Sequence, residues 1–166
     1  MKDLIIIAGA PGSGKTTIAK LLKEKLDSPY IDFGWLREFH LDHEWKKAND
    51  IEEKMSFENL VSILKNYTSY NYENVIVTDL LDKRVEEIPE LFKNNKYIII
   101  SLLIDSDEEL KKRVIGERDS GFKNAEAAIE WNNELKNRGT LANEHKIDNS
   151  HNDPNKTVAK IIELIN

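Results

Sequence analysis

The chain has 166 residues, with 24 Lys and Arg against 30 Asp and Glu, which gives a formal net charge of −6. That length corresponds to one domain with a continuous core, and the acidic balance disfavours a nucleic-acid partner, because non-specific affinity for nucleic acids depends on cations that neutralise phosphates. No cysteine is present, which excludes disulfides, a thiolate nucleophile and a cysteine-based zinc site.

The first apolar run, at residues 4–8, predicts a buried strand, because a continuous apolar run is typical of a strand that is covered on both faces. This run stops at a glycine-rich turn and is too short for a secretory signal. A second run, at residues 97–104, is far shorter than the ~20 residues that span a bilayer. We therefore expect a cytoplasmic protein without a membrane segment.

A glycine-rich motif follows the first predicted strand directly. It reads Gly9-Ala10-Pro11-Gly12-Ser13-Gly14-Lys15-Thr16 and is followed by Thr17. The spacing matches the pattern G-x-x-x-x-G-K-[ST] of a phosphate-binding loop, and an apolar stripe beginning at Ile18 predicts the helix that such a loop must open. Its glycines let the main chain curl so that successive N–H groups face an anion. We expect Lys15 to reach the β- and γ-phosphates of a nucleotide and the Thr16 hydroxyl to bind Mg²⁺.

Strands and helices alternate along the rest of the chain. Further strands are predicted at residues 29–32, 74–79, 97–104 and 144–148. Apolar residues at helical spacing between and after these strands predict helices that bury one face each. Such alternation implies right-handed crossovers, and hence a parallel α/β sheet with helices on both faces, in a single domain over residues 1–166. Residues 119–139 are polar with few apolar anchors, and they are interpreted as a mobile excursion from the sheet.

Taken in order, these motifs resemble the small P-loop kinases that phosphorylate nucleosides, nucleotides, sugars, shikimate or antibiotics. The resemblance is carried by the phosphate loop, Tyr30-Ile31-Asp32, Asp79, the run Leu110-Lys111-Lys112-Arg113-Val114-Ile115-Gly116-Glu117-Arg118, and Lys146-Ile147-Asp148-Asn149-Ser150. It implies a three-layer sandwich around a five-stranded parallel sheet of order 2-3-1-4-5. It also implies a lid over approximately residues 113–139 and an adenine-side loop in which Asp148 contacts the nucleotide.

The acceptor side is predicted to follow the second strand. Asp32 is the candidate general base, because an acceptor hydroxyl needs a carboxylate within hydrogen-bond reach that orients it and takes its proton. Its alternative role is to cap the helix that starts near Gly34. In that helix, Trp35 could stack on a planar substrate and Arg37 could pair with an acid or phosphate. The alternative for Trp35 is a place in the core.

The third predicted strand ends at Asp79. An ionised side chain at the end of a buried strand is costly unless it meets a cation, and the family resemblance implies that this carboxylate holds Mg²⁺ together with Thr16. The alternatives are a turn residue or a partner for Arg84.

The predicted lid contributes cations. Arg113 and Arg118 are five residues apart and would not share one face of a helix, which suits one arginine fixed on the helix and another that swings in from the loop. The resemblance implies that both meet the transferred phosphoryl group, where charge develops. Lys123 and Arg138 are further candidates of this kind. Ion pairs with Glu109 or Glu117 are the alternative.

The sequence therefore predicts a phosphotransferase that uses ATP and Mg²⁺ and acts on a small-molecule hydroxyl or phosphate as a monomer or homodimer. The alternative is a nucleotide-binding switch or slow ATPase without an acceptor. GTPases and AAA+ machines fit less well, because there is no Asn-Lys-x-Asp motif and the chain is too short for the extra helical domain. The Gly-Tyr/Phe-Pro-Arg signature of adenylate kinases is absent, so a nucleoside or nucleotide, a sugar acid and an antibiotic all stay open as acceptors.

Overall fold

The computed structural model describes residues 1–116, 122–151 and 153–166. Within these ranges five parallel strands form one sheet in the order β2-β3-β1-β4-β5. The strands are β1 (Leu4–Ala8), β2 (Tyr30–Asp32), β3 (Val75–Thr78), β4 (Tyr97–Leu103) and β5 (Glu144–Asp148). The predicted strand order is confirmed. Arg118 lies outside the described residues.

Eight helices connect and flank the strands in the described part of the chain. They are α1 (Lys15–Leu26), α2 (Phe33–Arg37), α3 (Asp50–Ser69), α4 (Asp82–Val85), α5 (Ile88–Leu91), α6 (Asp107–Ile115), α7 (Ala125–Asn137) and α8 (Pro154–Ile165). The longest, α3, begins where the Asn49 side chain accepts hydrogen bonds from the N–H groups of Ile51 and Glu52. Its first turn is acidic, which suits the positive end of the helix dipole.

Both faces of the central strand β1 are covered. Ile5 and Ile7 pack in one cluster with α1 and α8, whereas Leu4 and Ile6 pack in another with α3, α4 and α5. This alternation along a single strand produces the three layers, because successive side chains of a strand point to opposite faces. The predicted three-layer architecture is confirmed, and the carboxyl ends of all five strands meet at one edge of the sheet.

The interpretation of residues 119–139 as a loosely anchored excursion was wrong for the part that forms α7. The side-chain amide of Asn132 is fully buried, donates to the Ile104 carbonyl oxygen at 2.7 Å and accepts from the Ile104 N–H at 3.0 Å. Ala128 and Leu135 are also buried. A polar side chain and a small one therefore anchor a helix that a count of large apolar residues misses. Closure of residues 113–139 as a lid stays a prediction.

No helix of the described residues is both long enough and apolar enough to cross a membrane.

Candidate active site

The backbone of the phosphate loop takes positive φ values at three glycines, Gly9, Gly12 and Gly14. Gly9 has a φ of 143° and Gly14 a φ of 96°, values that residues with a Cβ rarely adopt. A Cβ on Gly9 would lie 2.5 Å from Ser13 Oγ and 2.6 Å from the Leu102 carbonyl oxygen. Ser13 Oγ is itself buried without a hydrogen-bond partner among the described residues. An unpaired polar atom at the centre of such a loop fits an anion-binding role.

Lys15 occupies the first position of α1 and is buried against the loop. Its ammonium group donates to the carbonyl oxygens of Gly9 at 2.8 Å and Ala10 at 3.2 Å. The ammonium therefore lies beside the loop that the sequence predicts it to serve. Its charge partly opposes the rise that burial causes in the pKa of Asp79.

Two carboxylates converge at the ends of β2 and β3. A Cβ on Gly34 would lie 3.1 Å from Asp32 Oδ1 and 3.4 Å from Asp79 Oδ2, so both carboxylates border the same short helix, α2. Asp32 Oδ1 accepts the Gly34 N–H at 3.0 Å, which is the capping role. Asp32 Oδ2 accepts from the Tyr30 hydroxyl at 3.2 Å. Capping thus occupies one oxygen, and the role of Asp32 as a base stays a prediction.

Asp79 follows β3 in a left-handed conformation, with a φ of 67°. Water reaches the side chain, yet surrounding protein atoms partly bury it, and this burial raises its pKa. Lys15 and Arg37 lower the pKa and Asp32 raises it. The alternative role as a partner for Arg84 is wrong, because Arg84 pairs with Glu53 and Glu87 instead.

Tyr30 keeps its proton in this cluster. Burial, together with the charges of Asp32 and Asp79, raises the pKa of its phenol to about 12. The hydroxyl therefore acts as a donor to Asp32 at neutral pH, and it also lies 3.2 Å from Thr78 Oγ1. The sequence analysis did not identify Tyr30 as a site residue, although its place two residues before Asp32 puts both side chains on one face of β2.

Trp35 and Arg37 lie on α2 as predicted, but with different surroundings. Trp35 is 48% exposed and packs edge-to-face on Tyr30 with ring centroids 5.2 Å apart, so the core alternative is wrong. Arg37 donates from Nε and Nη2 to the carboxylate of Glu52, and its guanidinium lies 4.5 Å over the ring of Trp45. Sequence reasoning missed both of these partners.

A cavity adjoins the phosphate loop and the start of α1. It has a volume of about 390 Å³, and its lining includes Gly12, Thr17, Arg113, Asn149 and Pro154. Arg113 donates to Glu109 Oε1 at 2.8 Å and to the carbonyl oxygens of Asn149 at 3.0 Å and Ser150 at 2.8 Å. The predicted ion-pair alternative with Glu109 is therefore observed, and Arg113 forms part of this cavity wall.

Asn149 is a site residue that the sequence analysis quoted but did not select. Its Nδ2 donates to the Ser13 carbonyl oxygen at 2.8 Å, and its Oδ1 accepts from Thr157 Oγ1 at 2.7 Å. The neighbouring Asp148, which was selected, instead accepts from the N–H and hydroxyl of Ser150. Asn149 thus connects the loop after β5 to the phosphate loop.

The other lid candidates contact protein groups. Arg138 forms ion pairs with Asp82 and with the buried carboxylate of Glu144, and Lys123 donates to the Gly116 carbonyl oxygen. These contacts give Arg138 a structural role that ties α7 to β5. Among the described residues no group of three His, Asp or Glu side chains could hold a metal ion, so Thr16 and Asp79 would need oxygen ligands from a nucleotide or water.

Comparison with known proteins gives two kinds of similarity. A family model described as an AAA domain matches residues 5–149. The adenylate kinase of Francisella tularensis subsp. novicida (strain U112) is 33% identical over 122 residues, which are 69% of this chain and 56% of that protein. The adenylate kinase of a Nitratiruptor species is 30% identical over 155 residues, which are 82% of this chain and 76% of that protein.

Similarity in three dimensions extends over nearly the whole chain. The crystal structure of a gluconokinase from Sinorhizobium meliloti 1021 superposes with a TM-score of 0.68 at 18% sequence identity and covers 97% of this chain and 90% of that one. At that identity the likeness concerns the fold alone. The chain spans little more than half the length of the Francisella relative, at 56%. The family description names a domain and no reaction, whereas both curated relatives are kinases.

Proposed function

The chain belongs to the AAA-domain family whose model it matches and to the small P-loop kinases, and from that premise we propose that it transfers the γ-phosphoryl group of ATP to a small acceptor. One observation carries the proposal. The phosphate loop with Lys15 stands at the same edge of the sheet as the converging carboxylates of Asp32 and Asp79. A site that only bound a nucleotide and its metal ion would not require a second carboxylate beside Asp79.

ATP binds with its phosphates in the loop of residues 9–16 and with its base in the cavity beside Thr17 and Asn149. Main-chain N–H groups of the loop and the positive end of α1 favour the phosphates, and Lys15 adds a point charge to them. Arg113 presents a planar guanidinium, already held by three protein acceptors, to the base side of this cavity. Arg118 is proposed to approach the phosphates from the lid.

Thr16 and Asp79 are proposed to hold Mg²⁺, and their donor chemistry fits that ion because both offer oxygen. When bound, Mg²⁺ supplies positive charge that offsets the charge of the phosphates. The raised pKa of Asp79 also fits a carboxylate whose ionised form lacks a full partner in the protein.

The acceptor is proposed to lie against α2, between the two carboxylates and Trp35. With a hydroxyl acceptor, the oxygen attacks the γ-phosphorus, the bond from that phosphorus to the bridging oxygen breaks, and ADP leaves. Asp32 Oδ2 takes the hydroxyl proton. Arg37 is proposed to bind an anionic group of the acceptor. Such a reaction would take place in the cytoplasm, where ATP is available.

The test is ADP formation measured with Mg·ATP and a panel of acceptors that includes AMP, D-gluconate and shikimate. The proposal predicts that at least one acceptor stimulates ADP formation and becomes phosphorylated. Lys15→Ala should lower that rate roughly a hundredfold or more, because a charge aimed at the transition state is lost. ATP hydrolysis that no acceptor stimulates would contradict the proposal and favour the switch or slow ATPase.

A further inference from the structure

Glu52, in the first turn of α3, is a buried carboxylate that the proposed reaction does not use. It is only 9% exposed, and polar groups surround it. Arg37 Nε donates to both oxygens at 3.0 and 3.2 Å and Nη2 donates at 2.5 Å, while His40 Nε2 lies 2.9 Å and Ser56 Oγ 3.1 Å from Oε1. The hydrogen bonds from Arg37 lower the pKa of Glu52 to about 2, so the carboxylate is ionised at neutral pH.

The contact with Glu52 leaves one edge of the Arg37 guanidinium available. A guanidinium carries five N–H donors in a planar fork, and Glu52 accepts from Nε and Nη2. Among the described residues, no hydrogen bond engages Nη1. Trp45 covers one face of the group at 4.5 Å. A Cβ on Gly34 would lie 4.0 Å from the same Trp45 ring and 3.4 Å from Asp79 Oδ2. Glu52 therefore holds one edge of the guanidinium and Trp45 covers one face, close to the carboxylates that border the proposed acceptor site.

The next residue of α3 offers a direct contrast. Glu53 is also buried and accepts from Arg84 Nε at 3.0 Å and Nη2 at 2.7 Å, and Arg84 likewise lies over an aromatic ring, that of Phe57, at 4.8 Å. In this pair, however, Nη1 donates to Glu87 at 2.7 Å. Protein carboxylates thus occupy both edges of Arg84, as expected for a pair that only connects helices. Arg37 differs from it in the one edge that faces away from Glu52.

We propose that Glu52 is a positioning residue, which fixes Arg37 so that its Nη1 edge binds a carboxylate or phosphate of the acceptor. The proposal rests on the proposed function, since it concerns the same acceptor. A free arginine side chain loses rotamer freedom when it binds an anion, and a guanidinium that the protein already holds avoids that loss. The remaining N–H groups form a fork that matches two oxygens of one oxyanion.

The experiment compares Glu52→Gln with the matched control Glu53→Gln. Calorimetry measures binding of AMP and D-gluconate, and of their uncharged counterparts adenosine and D-glucose, to each protein, and initial rates give KM for acceptor and for ATP. We expect AMP or D-gluconate to bind the unchanged protein, and Glu52→Gln to weaken that binding roughly tenfold or more. The acceptor KM should rise by a similar factor while the KM for ATP stays constant. AMP and D-gluconate separate phosphate from carboxylate as the recognised group.

The control and a double variant separate positioning from stability. Glu53→Gln should lower the melting temperature and leave acceptor KM unchanged. Because Glu52 acts through Arg37, Glu52→Gln should add little to the loss caused by Arg37→Ala. Binding unaffected by Glu52→Gln, or no binding of either oxyanion to the unchanged protein, would overturn the proposal. Glu52-dependent binding without any ADP formation would uphold positioning and overturn the proposed transfer reaction instead.

Discussion

Asp79 combines a strained backbone, a raised pKa and a neighbouring ammonium group in one residue. Its φ is 67°, and burial holds its pKa above the ordinary value of 3.8. The folded protein therefore keeps this proton to a higher pH than the unfolded chain does. The resulting stabilisation is present at pH below the unfolded pKa and is lost as the pH rises through the folded pKa. At neutral pH the ionised side chain consequently lowers stability.

The variant Asp79→Asn should raise the melting temperature at neutral pH and lower the rate of phosphoryl transfer. The first effect follows because asparagine carries no charge and tolerates positive φ. The second, roughly tenfold or more, follows because the proposed Mg²⁺ ligand is lost. Scanning calorimetry and initial rates measure the two effects. The kcat/KM of the wild type for Mg·ATP, which reflects ionisation of the free enzyme, should also fall on acidification at a higher pH than an ordinary aspartate would produce.

Asp27→Asn is the matched control for this prediction, because Asp27 also has a positive φ, of 48°, and caps the far end of α1. It reports what asparagine contributes through backbone preference alone. An Asp79→Asn protein that gains no more stability than Asp27→Asn does, or that transfers phosphoryl groups at the full rate, would contradict the account of Asp79.

Single residues differ in how far the sequence could place them. The places of Gly9 and Lys15 were predictable, because the spacing G-x-x-x-x-G-K-[ST] is typical of a single loop conformation. The place of Asp32 at the end of β2 was also predictable. Its role was not, because helix capping and base catalysis both use the carboxyl group, and the sequence does not distinguish the two roles. The partner of Arg37 was beyond prediction, since Glu52 lies 15 residues away across an irregular segment.

At the scale of elements, the segment between β5 and α8 is held to the phosphate loop by a side chain. Asn149 bonds to Ser13 in the loop and to Thr157 in α8. A Cβ on Gly14 would lie 2.7 Å from the Asn149 amide nitrogen, so the two segments pack closely. The sequence analysis predicted that this loop lies near the nucleotide, but it chose Asp148 instead of Asn149. Which of two successive side chains faces the phosphate loop depends on the geometry of the turn after β5, and the sequence does not show that geometry.

The variant Asn149→Ala should destabilise the fold by about 1–3 kcal/mol, because it leaves buried hydrogen-bonding groups without partners. Asp148→Ala, whose side chain contacts the adjacent Ser150, should cost less. Urea unfolding measures both values. Asn149→Ala should also weaken ATP binding, which titration calorimetry measures. Equal effects of the two substitutions would contradict the assignment of Asn149 as the connecting residue.

Helix α7 shows why sequence patterns can miss an element. Its buried positions include Ala125, Ala128 and Asn132, which a pattern of large apolar residues does not detect. The Asn132 amide replaces a hydrophobic anchor, since it satisfies both main-chain groups of Ile104 at the end of β4. Burial of such an amide depends on hydrogen-bond partners elsewhere in the chain, here the main chain of Ile104. The residues around Asn132 in the sequence do not reveal those partners.

At the scale of the whole molecule, the three-layer architecture could be predicted from the apolar strands and from the alternation of strands and helices. Strands that are largely apolar on both faces, such as β1 and β4, must be covered on both sides, and strand–helix alternation makes the sheet parallel. Parallel strands then bring the residues after β1, β2 and β3 to one edge, which is why the sequence alone could group Lys15, Asp32 and Asp79. The acceptor could not be named in this way, because its surroundings depend on the packing of α2 against α3.

The central claim is that the loop of residues 9–16 binds the phosphates of ATP. Titration calorimetry of Mg·ATP into the unchanged protein and into Lys15→Ala tests it most directly. The account predicts saturable one-to-one binding to the unchanged protein and at least roughly tenfold weaker binding to the variant, because one charge-assisted contact to the phosphates is lost. The absence of binding heat at millimolar Mg·ATP at more than one temperature, or equal affinity of the two proteins, would contradict it.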